Sequence, residues 1–281
     1  MRFQIEKFSK MLYATSCSLS LENENLRKAL SLFLVLVFLA TLAIPLASVK
    51  APTIREVTFY LYYGTAVGGG TDQYDLFRYD GVHWSTSKLP VLYYVNPKSS
   101  GVSSAETVAA IKASFEAWDA AVDVHYAEWE QAGYHVGVEL YNDNVQTTRL
   151  SGAKRNGKNI VSWGTLGTGI LARTTYWYYT TTLEIVEFDI VFNKLYAWGI
   201  DPDGEGGTTI SAFDIQNIGT HEAGHTLCIR DLYNSPSSEL TMYGYGSLGE
   251  VKKRSLGYGD IHGAQYIYCG AYAPLIGSTE P

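Results

Sequence analysis

Cysteine is scarce in this chain, and basic residues are outnumbered by acidic ones. The sequence has three cysteines, and none lies between residues 51 and 228. The formal charge is −7, and because the first 51 residues carry a basic excess, the remainder is more acidic than the whole. Binding to phosphate groups requires a basic surface, so this composition argues against nucleic acid as a partner.

Long apolar runs are also lacking, with one exception near the amino terminus. Residues 28–48 are almost entirely apolar, and basic residues outnumber acidic ones before them. This is the pattern of a signal peptide or a signal anchor, since about 18–20 residues are needed to span a bilayer. We expect residues 1–51 to direct export, either cleaved after Ala51 or retained as a membrane anchor, and the rest to be extracytoplasmic. A buried core helix is the alternative.

Beyond residue 51 the hydrophobic periodicity predicts an α+β fold. Alternating or β-branched runs predict strands over residues 57–63, 91–95, 135–141, 170–179 and 184–193. Apolar steps of three and four predict a helix over residues 103–122, which Ser103 and Glu106 would cap. Further helices are predicted from Ser211 through residue 225 and over residues 260–268. We divide this part into an amino-terminal extension, 52–83, and a main domain, 84–281.

The predicted second helix carries the sequence HEAGH at residues 221–225. Residues four apart share one helix face, so His221 and His225 can offer two imidazole nitrogens to one zinc ion. Glu222 can then act on a water molecule in the open fourth position of the metal. A charged surface helix is the alternative, but apolar residues on both sides of the motif argue against it.

Residues 221–231, HEAGHTLCIRD, resemble the extended signature of the metzincin metallopeptidases. The resemblance implies that Asp231 is the third zinc ligand, as in snapalysin-like members, with Glu250 as the alternative. Cys228 occupies the position of the signature glycine, where a left-handed backbone costs other residues about 1–2 kcal/mol. A disulfide with Cys269 would offset this strain, and two separate buried thiols are the other possibility.

Other segments are similar to matrixins within the metzincins. Met242 lies where the family's Met-turn passes beneath the metal, and residues 259–268 resemble the last matrixin helix, with His262 at a variable, solvated position. The resemblance covers roughly residues 84–268. It implies a metzincin-like catalytic domain with a mixed twisted sheet, an active-site helix and a C-terminal helix. It also makes residues 171–178, from Leu171 onwards, the edge strand above a peptide-binding cleft.

Two matrixin features are missing from the sequence. A latency cysteine on the zinc is excluded in the exported part, because no cysteine precedes Cys228 there. The loop for a second zinc and calcium is not recognisable, although the acidic turn 201–205 has oxygen ligands for Ca2+. Tyr243 and Tyr245 are expected to wall the specificity pocket, and Tyr243 is alternatively an oxyanion donor.

These features favour a monomeric, zinc-dependent endopeptidase that acts on protein or peptide substrates, with Glu222 as general base. The alternatives are a catalytically inactive metzincin-fold binding or surface protein, and a hydrolase of non-peptide bonds. An intramembrane protease is excluded, because residues 211–233 are too polar for a membrane span.

Overall fold

A computed structural model describes residues 52–64, 77–206 and 211–270, all of which lie within the compact unit Pro52–Pro281. The predicted export segment, 1–51, lies outside the described residues. Among those that are described, no helix has both the length and the apolar character required to cross a membrane.

A mixed seven-stranded sheet forms the framework, with the strand order β3-β2-β4-β6-β5-β1-β9. Its strands are β1 Ile54–Tyr63, β2 Tyr93–Val95, β3 Gln146–Thr147, β4 Asn159–Gly164, β5 Ile170–Tyr179, β6 Ile185–Asn193 and β9 Tyr245–Gly246. β2 pairs in parallel with β3 and β4, β4 with β6, and β9 with β1, whereas β5 is antiparallel to both β6 and β1. A separate pair joins β7 Trp198–Gly199 to β8 Phe213–Asp214. The predicted α+β class with a mixed sheet is confirmed.

Within residues 52–64, 77–206 and 211–270, four α-helices accompany the sheet: α1 Ser104–Val122, α2 Ala127–Ala132, α3 Ile215–Thr226 and α4 Tyr258–Tyr268. The predicted capping box starts α1, because Ser103 Oγ accepts from the Glu106 N–H and Glu106 Oε2 accepts from the Ser103 N–H, both at 3.2 Å. α3 is the predicted active-site helix and α4 the predicted C-terminal helix. Short 3-10 turns cover Thr86–Lys88, Ser235–Ser237 and Lys252–Arg254.

α1 packs against α3, the helix that carries the two motif histidines. Ile111, Phe115 and Trp118 are fully buried on the predicted apolar stripe of α1, and each buried side chain of this kind contributes about 1.5–3 kcal/mol. The Trp118 indole N–H also donates to the Thr220 carbonyl of α3 at 2.8 Å. A buried donor is thereby satisfied across the interface, which fixes the two helices against each other.

Two local predictions are wrong. Residues 135–141 form no strand beyond an isolated bridge between Val91 and Tyr141, because the Asp119 carboxylate, rather than a neighbouring strand, accepts the Leu140 and Tyr141 N–H groups. His262 is buried rather than solvated.

The strand expected to form an open edge, Leu171–Tyr178, is not an edge. β5 pairs with β6 on one side and with β1 on the other. β1 comes from the amino-terminal extension, whose pairing partner no local sequence pattern specifies. The edge above the metal site is therefore covered by the chain's own strand.

Candidate metal centre

Helix α3 brings the two motif histidines onto one buried face. Its first turn is fixed by Asp214, whose Oδ1 accepts from the Asn217 N–H at 2.7 Å and whose Oδ2 pairs with Arg254 at 2.6 Å. His221 and His225 follow on the inward face, both with no exposed surface and with ring centroids 4.8 Å apart. The spacing that the sequence suggested is thus realised in a rigid, well-capped helix.

Two backbone carbonyls set the orientation of the imidazoles. His221 Nδ1 lies 2.7 Å from the Thr241 carbonyl, and His225 Nδ1 lies 2.8 Å from the Ile229 carbonyl. A carbonyl only accepts, so each Nδ1 carries the proton and each Nε2 presents a lone pair. This is the tautomer required for metal binding through Nε2.

Asp231 completes a group of three converging ligand atoms. Its Oδ1 lies 3.2 Å from His221 Nε2 and 3.4 Å from His225 Nε2, and the three atoms lie within 4.8 Å of one another. Among the described residues, none of these atoms has a hydrogen-bond partner. With Nδ1 protonated on both rings, three lone pairs face one point, and only a cation satisfies them together. Two imidazole nitrogens and a carboxylate oxygen are an ordinary zinc ligand set.

The pKa shifts of the three side chains also favour a positive charge at this point. Burial lowers the pKa of His221 to about 4. Burial also opposes charge on His225, but the Asp231 carboxylate raises its pKa above the ordinary value. Burial would raise the pKa of Asp231 as well, yet His225 and His221 hold it far below its usual range. Asp231 therefore stays ionised and available to a metal ion.

Glu222 lies beside this cluster, with its two oxygens in different environments. Thr174 Oγ1, on β5, donates to Glu222 Oε2 at 2.5 Å. Oε1 is buried and accepts no hydrogen bond from the described residues. Burial raises the pKa of Glu222 to about 7. A carboxyl group with this pKa can both take up and release a proton near neutral pH.

The chain reverses directly after α3 through a left-handed residue. Cys228 has a φ of 64°, and the Ile229 N–H donates back to the Gly224 carbonyl at 3.2 Å. This reversal returns the Ile229 carbonyl to His225 and places Asp231 beside both imidazoles. The turn is built as the metzincin signature requires, with cysteine in place of glycine.

Cys228 and Cys269 are buried free thiols, so the second of the two possibilities for this pair, separate thiols, is the one that the structure has. The Cys228 thiol forms a hydrogen bond with Tyr176, whereas Cys269 Sγ donates to the Val122 carbonyl at 3.7 Å. Burial raises the pKa of both thiols, that of Cys269 to about 11. Both therefore remain protonated at neutral pH, and the strain at Cys228 is offset by packing rather than by a covalent tie.

Met242 lies fully buried beneath α3, where the Met-turn was expected. The Asp260 carboxylate of α4 holds this turn, accepting from the Thr241 N–H at 2.8 Å and from the Met242 N–H at 3.1 Å. Because the Thr241 carbonyl in turn accepts from His221, the last helix helps to orient a metal ligand. Sequence spacing located Met242, but the role of Asp260 depends on tertiary contacts.

The remaining predicted residues have other surroundings. Glu250, the alternative third ligand, accepts from Asn217 Nδ2 at 3.2 Å and lies outside the metal cluster. Tyr243 is buried, and its carbonyl accepts from Lys253 Nζ at 2.8 Å. Tyr245 lies in β9.

Three residues near the metal centre were not predicted from the sequence. Thr174 binds Glu222, the Tyr233 hydroxyl forms a hydrogen bond with Asp231, and Phe59 stacks on His225 with ring centroids 4.4 Å apart. Each of the three comes from a different part of the chain, so no local sequence pattern predicts its position near the centre.

Residues 83–269 match the family model of the matrixins. The chain belongs to the matrixin family. A matrixin is a metallopeptidase, and the His-His-Asp cluster fits the zinc site of that class. No curated protein matches this matrixin significantly.

Calcium binding by this matrixin stays a prediction. In the acidic turn, Asp201 Oδ1 accepts from the Gly204 N–H at 2.8 Å, and the Asp201 carbonyl accepts from Arg254 Nη2 at 2.9 Å. Within the part of the chain that the structure describes, the zinc-type cluster is the one group of three or more possible metal ligands.

Proposed function

We propose that this matrixin is a zinc-dependent endopeptidase in which His221, His225 and Asp231 hold the metal and Glu222 is the general base. The observation that carries the proposal is the convergence of three buried ligand atoms that only a cation satisfies. A carboxyl group with a pKa of about 7 lies next to them. These are the parts that metal-assisted hydrolysis of a peptide requires.

When bound, zinc lowers the pKa of a coordinated water molecule and polarises a carbonyl group. Glu222 Oε1 takes a proton from the water as the water oxygen adds to the carbonyl carbon of the peptide. Glu222 then donates this proton to the departing nitrogen as the C–N bond breaks, which yields a carboxylic acid and an amine. Thr174 keeps Glu222 Oε2 in place, so that Oε1 stays directed at the reacting atoms.

We also propose that the enzyme works outside the cytoplasm, as a monomer, on protein or peptide substrates. The basic and then apolar sequence up to residue 48 supports export, and the acidic composition of the remainder argues against nucleic acid. Cell fractionation of a tagged chain tests the location. Recovery in the cytosolic fraction would contradict it.

The enzymatic proposal is tested with the purified full chain, loaded with zinc. We expect about one zinc per chain and cleavage of a denatured protein, with loss of activity on adding a zinc chelator and recovery on returning zinc. Glu222→Gln should retain zinc and lower the cleavage rate by about 10²–10⁴-fold. Asp231→Asn should weaken zinc binding, because a neutral amide oxygen replaces a charged ligand.

Glu239→Gln, at an exposed surface ion pair with Lys252, is the matched control and should change neither property. A folded protein that binds no zinc and is indifferent to the chelator would favour the alternative, an inactive binding protein with this fold. Full zinc binding by Asp231→Asn would remove Asp231 from the ligand set.

A further inference from the structure

Strand β1 covers β5, the strand whose Thr174 contacts Glu222 beside the metal centre. It pairs antiparallel with β5, with Phe59 opposite Thr174 and Leu61 opposite Ala172. On its other side Tyr62 pairs in parallel with Tyr245 of β9. Addition of a strand to a sheet is a common way for proteins to hold extended peptides. β1 also precedes residues 83–269, which match the family, so it is an addition to the matched domain.

Two side chains of β1 enter the site on either side of the ligands. Phe59 stacks on the His225 ring at 4.4 Å, with an interplanar angle of 11°. Leu61 has no exposed surface. A β-carbon at Gly246 would lie within 3.7 Å of the side chains of Leu61, Leu171 and Ile218, so Leu61 fills an apolar pocket.

The polypeptide between Phe59 and Leu61 therefore crosses the ligand-bearing part of α3. Ile218, which lines the pocket of Leu61, lies one helical turn before His221. His225, on which Phe59 stacks, lies one turn after His221. β1 thus runs antiparallel to α3 here, with Tyr60 opposite the interval that contains His221.

The hydrogen bonds of β1 identify which peptide group in this stretch is not used by the sheet. The Tyr62 N–H donates to the Gly244 carbonyl, on the β9 side, at 3.3 Å. The Tyr63 N–H donates to the Gly169 carbonyl, on the β5 side, at 2.8 Å. The ladder with β5 has a register shift between Leu61 and Tyr62, which skips one residue of β5 and none of β1. Successive residues of β1 therefore still face opposite neighbours, so Phe59 and Leu61 face β5, whereas Tyr60 faces away from it. The Tyr60 carbonyl is the one in this stretch that β5 does not bind.

We propose that β1 is an intramolecular substrate and that the chain hydrolyses its own Tyr60–Leu61 peptide bond. The proposal rests on the endopeptidase function proposed above. Water adds its oxygen to the Tyr60 carbonyl carbon, and the bond to the Leu61 nitrogen breaks. The products are a carboxylate at Tyr60 and a new amino terminus at Leu61. One proton of the water passes through Glu222 to the Leu61 nitrogen, and no other reactant is required.

The cleaved bond comes directly before Leu61, whose side chain occupies the pocket of Leu171, Ile218 and Gly246. The polypeptide on both sides must be extended, because it pairs with β5 and β9. In the uncut chain β1 excludes a second peptide, so self-processing precedes the cleavage of other proteins.

The test uses the zinc-loaded full chain and follows both its own amino terminus and the cleavage of a denatured protein. We expect a new terminus at Leu61, formed at a rate independent of protein concentration, and cleavage of the denatured protein after a matching lag. Glu222→Gln should remain intact. Leu61→Lys, which puts a charge into the apolar pocket, should slow cleavage at this bond more than 10-fold and shorten the lag. Leu61→Met and the exposed-site control Tyr62→Lys should resemble the wild type.

A second measurement does not depend on activity. In the intact Glu222→Gln chain, backbone amides of residues 54–63 should be protected from hydrogen exchange, and Leu61→Lys in that background should remove the protection. Exchange at free-peptide rates in the intact chain would overturn the proposal. So would cleavage of the denatured protein without a new terminus at Leu61, a result that leaves the endopeptidase function standing. Failure to cleave either substrate would refute the proposed function itself.

Discussion

Thr174 is a residue that no motif singles out, yet its hydroxyl holds one oxygen of the Glu222 carboxylate. Strand alternation separates it from its neighbour Thr175, whose Oγ1 instead lies 3.0 Å from Thr58 Oγ1 on the other face of the sheet. A hydrogen bond to a charged group contributes about 1.5–3 kcal/mol. At the scale of single residues, Thr174 is therefore a positioning residue for Glu222.

We expect Thr174→Val, which replaces the hydroxyl by a methyl group, to lower kcat/KM for peptide cleavage by about 10–100-fold. The zinc content should be unchanged, because the three metal ligands keep their contacts. Kinetic assays and metal analysis of purified variants check this. Thr175→Val is the matched control, and an equal loss of activity in both variants would show that the effect is structural.

At the scale of elements, the turn after α3 places Asp231 beside His221 and His225. The turn requires a left-handed residue, and Cys228 adopts this conformation at φ 64° without a disulfide. Its thiol is fully buried against Tyr176, so the side chain contributes packing while the backbone is strained. Substitutions at Cys228 can separate the contribution of side-chain packing from the cost of backbone strain.

We expect Cys228→Gly to be more stable than Cys228→Ala by about 1–2 kcal/mol, because both lose the thiol but only glycine relieves the strain. Denaturant unfolding of the two variants measures the difference. Thiol titration of the unfolded, non-reduced wild type should detect both Cys228 and Cys269. Greater stability of the alanine variant would contradict the left-handed turn.

At the scale of the whole molecule, the strongly periodic parts were predictable from sequence. The α1 stripe, its capping box, β5 and β6 follow from alternation or helical steps, and HEAGH located the two histidines. Asp231 required the family resemblance, because a carboxylate six residues after His225 has no periodic signature.

What escaped prediction depends on contacts between distant segments. The pairing of β1 with β5 joins residues more than 100 positions apart, and the sequence of a strand does not specify which other strand it pairs with. The cysteine count left a disulfide and two separate thiols both open, because the contacts that the thiols make with Tyr176 and Val122 are tertiary. His262 was assigned to solvent on a helical pattern, but aromatic rings of Phe77 and Tyr258 cover it.

The pH dependence of folding is a property of the whole molecule to which Asp119 contributes. Burial raises the pKa of this carboxyl group from 3.8 to about 7. The native state therefore binds more protons than the unfolded state between about pH 4 and pH 7. The contribution of Asp119 to stability falls as the pH rises through that window.

Asp119→Asn keeps an oxygen for the Leu140 and Tyr141 N–H groups, which both bind Oδ1, but it cannot ionise. We expect its free energy of unfolding, relative to the wild type, to increase from pH 4 to pH 7 and then to level off. Denaturant titrations across this range measure the difference. A difference between the two proteins that stays constant across this range would contradict the raised pKa of Asp119.

Gly224, between the two histidines, links the metal centre to the evolution of the core. A β-carbon there would lie within 2.5 Å of both Met242 Sδ and Trp118 Cζ2, so the position is closed to any larger residue unless both neighbours are smaller. Among relatives of this chain, an alanine at this position should accompany smaller side chains in place of Met242 and Trp118. The middle of the zinc motif would then vary together with the hydrophobic interior rather than with the substrate.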